Sequence, residues 1–112
     1  MTAITDEFML QMLSKVKEYT LLILRTGPKA NTEGADKIIW EHGRRNFALR
    51  SEGKLSIVSP VNSNNDLEGI GIFNTSLEET KEIMDDDPAV KAGILIYELY
   101  SCRSFPGDSL PA

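Results

Sequence analysis

Cysteine and histidine occur once each in the 112 residues, as Cys102 and His42. A lone cysteine closes no disulfide within the chain and builds no thiolate cluster. A lone histidine leaves zinc without its usual set of nitrogens, and although Glu41-His42 reads like the start of a zinc motif, the second histidine is missing. No metal is expected. Basic residues are also few, 12 against 17 acidic ones for a net charge of −5, which repels a phosphate backbone. The only compact basic group, Arg44 and Arg45 with Arg50, is interleaved with Glu41 and Glu52, so no nucleic-acid partner is expected. No apolar run approaches the roughly 20 residues of a membrane span. Asp6 and Glu7 precede every basic residue, unlike a secretory leader. These absences predict a soluble cytoplasmic protein with no membrane partner. The chain also lacks a glycine-rich phosphate loop, since Gly69-x-Gly71 falls inside a strand pattern. Asp85 to Asp87 has no further acidic ligands at EF-hand spacing. No cofactor is expected.

What is present suits one ordinary domain: 41% apolar and 26% charged residues, near the globular average. Behind a Thr5 cap, Met9, Met12, Leu13 and Val16 recur at helical spacing and predict a short amphipathic helix over about 6–17. YTLLILR, residues 19–25, is a strand ended by Thr26-Gly27-Pro28 and apolar enough to be buried on both faces. Ile39, Trp40, Gly43 and Phe47 then share one face of a long helix closed by Gly53. Residues 54–61 and 67–75 alternate around a turn-rich Asn62 to Asp66, as a hairpin does. Ser76 with Glu79 forms a capping box for a second helix through Met84. ILIYELY, residues 94–100, makes a last strand, and Phe105 to Ala112 an irregular tail.

Helix, then βαββαβ, is the order of an α+β, ferredoxin-like fold: four antiparallel strands with two helices on one face. The expected organisation is an N-terminal extension over 1–17, a domain over 18–105 and a tail over 106–112. Leu22, Leu24, Ile57, Ile70, Ile72, Ile94 and Ile96 supply more apolar side chains than one layer of two helices hides. A second sheet from another subunit is the expected cover, making the chain its own partner in a homodimer. Trp40, Phe47, Tyr97 and Tyr100 are expected in the core.

His42 stands mid-helix on the stripe Ile38, His42, Arg45, Leu49, where its plainer alternative is a structural histidine. Asp87 precedes Pro88 and so fits the N-cap of one further turn. A cap carboxylate can also direct an oxygen at an imidazole, as the acidic member of a catalytic pair does. Arg25, at a strand end, is a candidate for substrate contact, with a surface ion pair as its alternative. Arg45 and Ser59 complete the substrate-contact candidates, although no second histidine is available to activate Ser59 as a nucleophile.

Two segments carry a family resemblance. HGRRNFALRSEGKLSIVSP from His42, and Asp87-Pro88-Ala89-Val90-Lys91-Ala92-Gly93, are similar to the histidine-to-strand and Asp-Pro-x-x-x-Ala-Gly segments of YCII-related proteins, in the same order. The resemblance covers roughly residues 19–105 and implies a dimeric α+β barrel with a His-Asp dyad, here His42 and Asp87, in a cleft beside the sheet. One departure is Ser59, where the family usually has glycine before Pro60. The implied activity is general acid/base chemistry, elimination or isomerisation, on a small and possibly cyclic organic molecule. The alternatives are a metabolite-binding or regulatory module, which could carry a phosphorylated histidine, and a heme-handling relative with His42 on iron.

Overall fold

The computed structural model describes residues 1–112. Eight elements follow in order: α1 (Asp6–Leu13), β1 (Lys17–Thr26), α2 (Ala35–Ser51), β2 (Leu55–Pro60), β3 (Leu67–Phe73), α3 (Leu77–Asp85), α4 (Pro88–Lys91) and β4 (Leu95–Ser104). The strands form one sheet in the order β2-β3-β1-β4, with every pair antiparallel. The two halves thus interleave and place β1 and β3 at the centre, which is the ferredoxin-like arrangement. No helix is long and apolar enough to cross a membrane.

Local chemistry sets the element ends. Thr5 and Ser76 accept hydrogen bonds from the amides of Phe8 and Glu79, capping α1 and α3. Gly53, with φ of 78°, follows the C-terminus of α2 in the left-handed conformation that lets Lys54 turn into β2. Asp87 caps α4, with Pro88 at its first position.

Strand alternation divides the sheet into two unlike faces. Thr20, Leu22 and Leu24 of β1 are buried beneath the helices with Leu55, Phe73 and Leu95. Leu49 of α2, Ile83 and Met84 of α3, Ala89 of α4 and Ile94 close this core. The buried hydroxyls within it are satisfied: Thr20 donates to the Thr75 carbonyl at 2.7 Å, and Thr80 bonds the Ser76 carbonyl. On the other face, cross-strand rows run Ile57, Ile72, Leu21, Tyr100 and Ser59, Ile70, Ile23, Glu98. No helix covers those rows, so β1 is buried on one face and only half-buried on the other.

One expectation is overturned. Trp40 and Phe47 are not core residues; they are 70% and 57% exposed, and Tyr100 is also exposed. The inward stripe of α2 is Ile38, His42, Asn46 and Leu49, so two polar side chains occupy positions that hydropathy would have given to the aromatics. Tyr97 does pack on the core, and its hydroxyl donates to Asp85, tying α3 to β4. Burial first, then that carboxylate, pushes the Tyr97 phenol up to about 12.

Phe73 is fully buried at the meeting point of β1, β2 and β3. Phe73→Ala is expected to cost about 3–5 kcal/mol, read as a lower urea midpoint with an unchanged slope.

Candidate active site

His42 is placed by the middle of α2 and Asp87 by the cap of α4, and the packing of these two helices brings them together. The His42 Nδ1 lies 2.8 Å from Asp87 Oδ1. Asp87 has no exposed surface, while His42 retains 8% exposure. The other carboxylate oxygen, Oδ2, accepts from the amides of Ala89 at 2.9 Å and Val90 at 3.2 Å. Cap and dyad are therefore served by separate oxygens of one side chain. Burial alone pushes the Asp87 carboxyl up. The hydrogen bond and charge of His42, with the Val90 and Ala89 amides, outweigh it and hold the group below the ordinary carboxylate range.

The second ring nitrogen is also engaged. Asn46, one turn further along α2, has its Nδ2 3.2 Å from His42 Nε2. An ionised carboxylate on Nδ1 and an amide N–H on Nε2 together define the neutral Nδ1–H tautomer, with the Nε2 lone pair directed at Asn46. Both ring nitrogens are thus hydrogen-bonded within the protein.

A cleft of about 350 Å³ opens beside this pair, lined by His42, Asn46, Ile39, Gly43 and Phe47 of α2 and by Leu24, Val58, Ser59, Pro60, Glu68, Gly69, Ile70 and Leu95 of the sheet. Its wall is mostly apolar, and no lysine or arginine lines it. Gly69 makes room for it: a Cβ there would meet the Ser59 carbonyl oxygen at 3.2 Å and close on Leu24. No group of three or more His, Cys, Asp and Glu side chains converges on a point that could hold a metal ion.

The remaining candidates are placed as follows. Arg45 stands behind the dyad, its Nη1 3.7 Å from Asp87 Oδ1 and its Nη2 4.0 Å from Asp86. That Nη1 is buried with no hydrogen-bond partner, so Arg45 adds positive charge beside Asp87 and does not reach the cleft. Arg25 is held by Glu98 at 2.6 Å and Asp66 at 3.1 Å on the uncovered side of the sheet. Ser59 borders the cleft, but its register partner is Ile70, which puts its side chain on the opposite side of β2 from Val58. Asn46 was not singled out from the sequence. Its signal was a poor helix former four residues after His42 on the inward stripe.

Asp87→Asn keeps a capping oxygen but turns an N–H₂ toward His42, so Nδ1 must become the acceptor. The expected result is a switch of His42 from the Nδ1–H to the Nε2–H tautomer, read from imidazole ¹⁵N shifts; an unchanged tautomer would contradict the assigned pairing. The lowered Asp87 value also fixes a pH dependence. Its contribution to stability is complete above the unfolded-state value, about 3.9, and is lost as pH falls through the lower folded-state value. Urea titrations from neutral to strongly acid pH should therefore show a smaller loss of stability in Asp87→Asn than in the parent chain. Gly43 sits mid-helix at the cleft mouth with nothing within 4 Å of a built Cβ. Gly43→Ala is expected to stabilise the protein by about 0.5–1 kcal/mol while narrowing the cleft.

Against known proteins, the chain matches no family model and no curated protein. Among solved structures it is similar to a 5-chloro-2-hydroxyhydroquinone dehydrochlorinase (TftG) from Burkholderia phenoliruptrix AC1100, in complex with 2,5-dihydroxybenzoquinone. The identity is 18% and the TM-score 0.48, over 72% of this chain and 90% of that one.

Proposed function

We propose that the cleft beside α2 is an active site in which His42, oriented by Asp87, moves a proton on a small, largely apolar organic molecule. The observation that carries this reading is the buried 2.8 Å bond between Nδ1 and a carboxylate that is itself fixed by two backbone amides. It presents Nε2 as the basic atom and provides a counter-charge for the imidazolium formed when that atom takes up a proton. The resemblance of the His42 and Asp87 segments to YCII-related proteins supports the same pair.

Asn46 belongs to the chemistry. Its amide occupies Nε2 in the free protein, so a substrate reaches the lone pair by displacing that N–H, which is then free to donate to an oxygen of the substrate. In an elimination, the proton of a C–H bond passes to Nε2, its electron pair forms the new double bond, and the leaving group departs from the neighbouring carbon. In an isomerisation, the C–H electron pair forms a double bond to the neighbouring carbon, the double bond already there gives its pair to the far carbon, and that carbon takes the proton back from Nε2. The absence of cationic side chains from the lining favours substrates without a carboxylate or phosphate.

The test is a turnover screen of small cyclic compounds with an acidic C–H, run on the parent chain and on His42→Ala, Asp87→Asn and Asn46→Leu. His42→Ala is expected to lower kcat by about 10²–10⁴-fold, and Asn46→Leu to affect both kcat and KM. Full activity in His42→Ala would remove the mechanism.

A further inference from the structure

Beside its buried stripe, α2 carries a second run of residues at helical spacing: Asp36, Ile39, Trp40, Gly43, Arg44 and Phe47. They line a groove of about 430 Å³ on the outer surface of the helix. Two of its features are not called for by the fold. Gly43 stands in the helix interior, where glycine is the least favourable residue after proline. A glycine kept there ordinarily has a packing or functional reason, yet a Cβ built on Gly43 meets nothing within 4 Å. Packing therefore does not require it. The second feature is the aromatic surface on either side of that gap. Trp40 and Phe47 are exposed, as is Ile39 on the same stripe, and a contiguous apolar patch of this kind marks a binding groove or an interface.

Continuity with the cleft indicates the occupant. Ile39, Gly43 and Phe47, half of the groove's six residues, also line the cleft beside His42. At 3.6 residues per turn, Ile39 lies next to the inward stripe, Trp40 on the far side, and Gly43 between them around the helix. With no side chain at Gly43, cleft and groove join over bare backbone. Arg44, the groove's only cation, is taken up by Glu41 at 3.0 Å. Groove and cleft thus share the same apolar character, without a free positive charge for a carboxylate or phosphate. One stripe of six residues is also far smaller than the roughly 20–30 residues that a stable protein partner engages, which favours a small molecule.

We propose that the groove is the outer half of the binding site: the substrate is longer than one ring, and a flat apolar arm crosses Gly43 to lie between Trp40 and Phe47. This names the substrate class for the active site proposed above and rests on that reading. A ring laid over Gly43 meets helix backbone beneath it and an aromatic side chain toward each end, the surroundings in which flat apolar groups pack best.

Cyclohexanone and 4-phenylcyclohexanone share one ring with an acidic C–H and differ only in the arm. Each is titrated into the ¹⁵N-labelled full chain. The Asn46 side-chain amide, beside His42 Nε2, reports the cleft, and the Trp40 indole N–H reports the groove, as a single resonance because the chain has one tryptophan. Both ketones are expected to move Asn46, only the phenyl derivative to move Trp40, and that derivative to bind about tenfold more tightly. Trp40→Ala, read at Asn46, is expected to remove most of this preference. Gly43→Leu, which fills the gap with a good helix former, should do the same. Equal binding of the two ketones with Trp40 unmoved overturns the arm site and leaves the cleft standing, and a preference retained in both variants also overturns it. Movement of Trp40 without Asn46 overturns the continuity of the two spaces. If neither ketone moves Asn46, the active-site reading falls and the arm site with it.

Discussion

The buried Asp87 carboxylate is the constraint on which the site depends. A carboxylate with no exposed surface is tolerated only when its oxygens are bonded, and here the donors come from two places in the chain. The Ala89 and Val90 amides open α4, and the His42 imidazole projects from α2, 45 positions away in sequence. Satisfying one charge therefore fixes the distance between two helices, the orientation of an aromatic ring and its tautomer together. Arg45, 3.7 Å from the same oxygen, places compensating charge on the side away from the cleft.

This arrangement accounts for the unusual inward face of α2. A helix packed on a sheet ordinarily directs its largest apolar side chains inward. Here Trp40 and Phe47 point outward, and His42 and Asn46 occupy the buried stripe. The cost of burying two polar side chains is offset because each meets a partner in the other or in Asp87. The apolar surface is displaced to the cleft mouth, where Ile39, Gly43 and Phe47 form one wall.

Much of this was legible in the sequence, and the misses have physical reasons. Strand runs, the Ser76 capping box and the Asp87-Pro88 cap could be read because each is decided by residues a few positions apart. The rotation of α2 could not, since hydropathy assigns aromatics to the interior and does not register that a histidine and an asparagine satisfy each other one turn apart. Ser59 depends on the register shift between Leu55 and Ile57, an irregularity that puts Leu55 on the helix side with Phe73 but moves Ile57 and Ser59 to the open side. Alternation alone would have kept all three together. For Arg25 the sequence leaves substrate contact and a surface ion pair both open; the cross-strand neighbour Glu98 and the loop residue Asp66 hold it on the sheet, partners that only the register identifies.

The sheet order also bears on how the molecule comes into being. The central strand β1 pairs along its whole length with β4, far along the chain, so that Lys17 meets Ser104 and Thr26 meets Leu95. Contacts of such sequence separation carry a large loop-closure cost and form slowly. A nascent chain that has emerged only as far as α4 has both members of the dyad, but no strand to close the sheet beneath them. Leu95, one wall of the cleft, arrives with that closing strand. The binding space therefore needs the closing strand, and a fragment ending at α4 would hold both His42 and Asp87 yet lack one wall of the cleft.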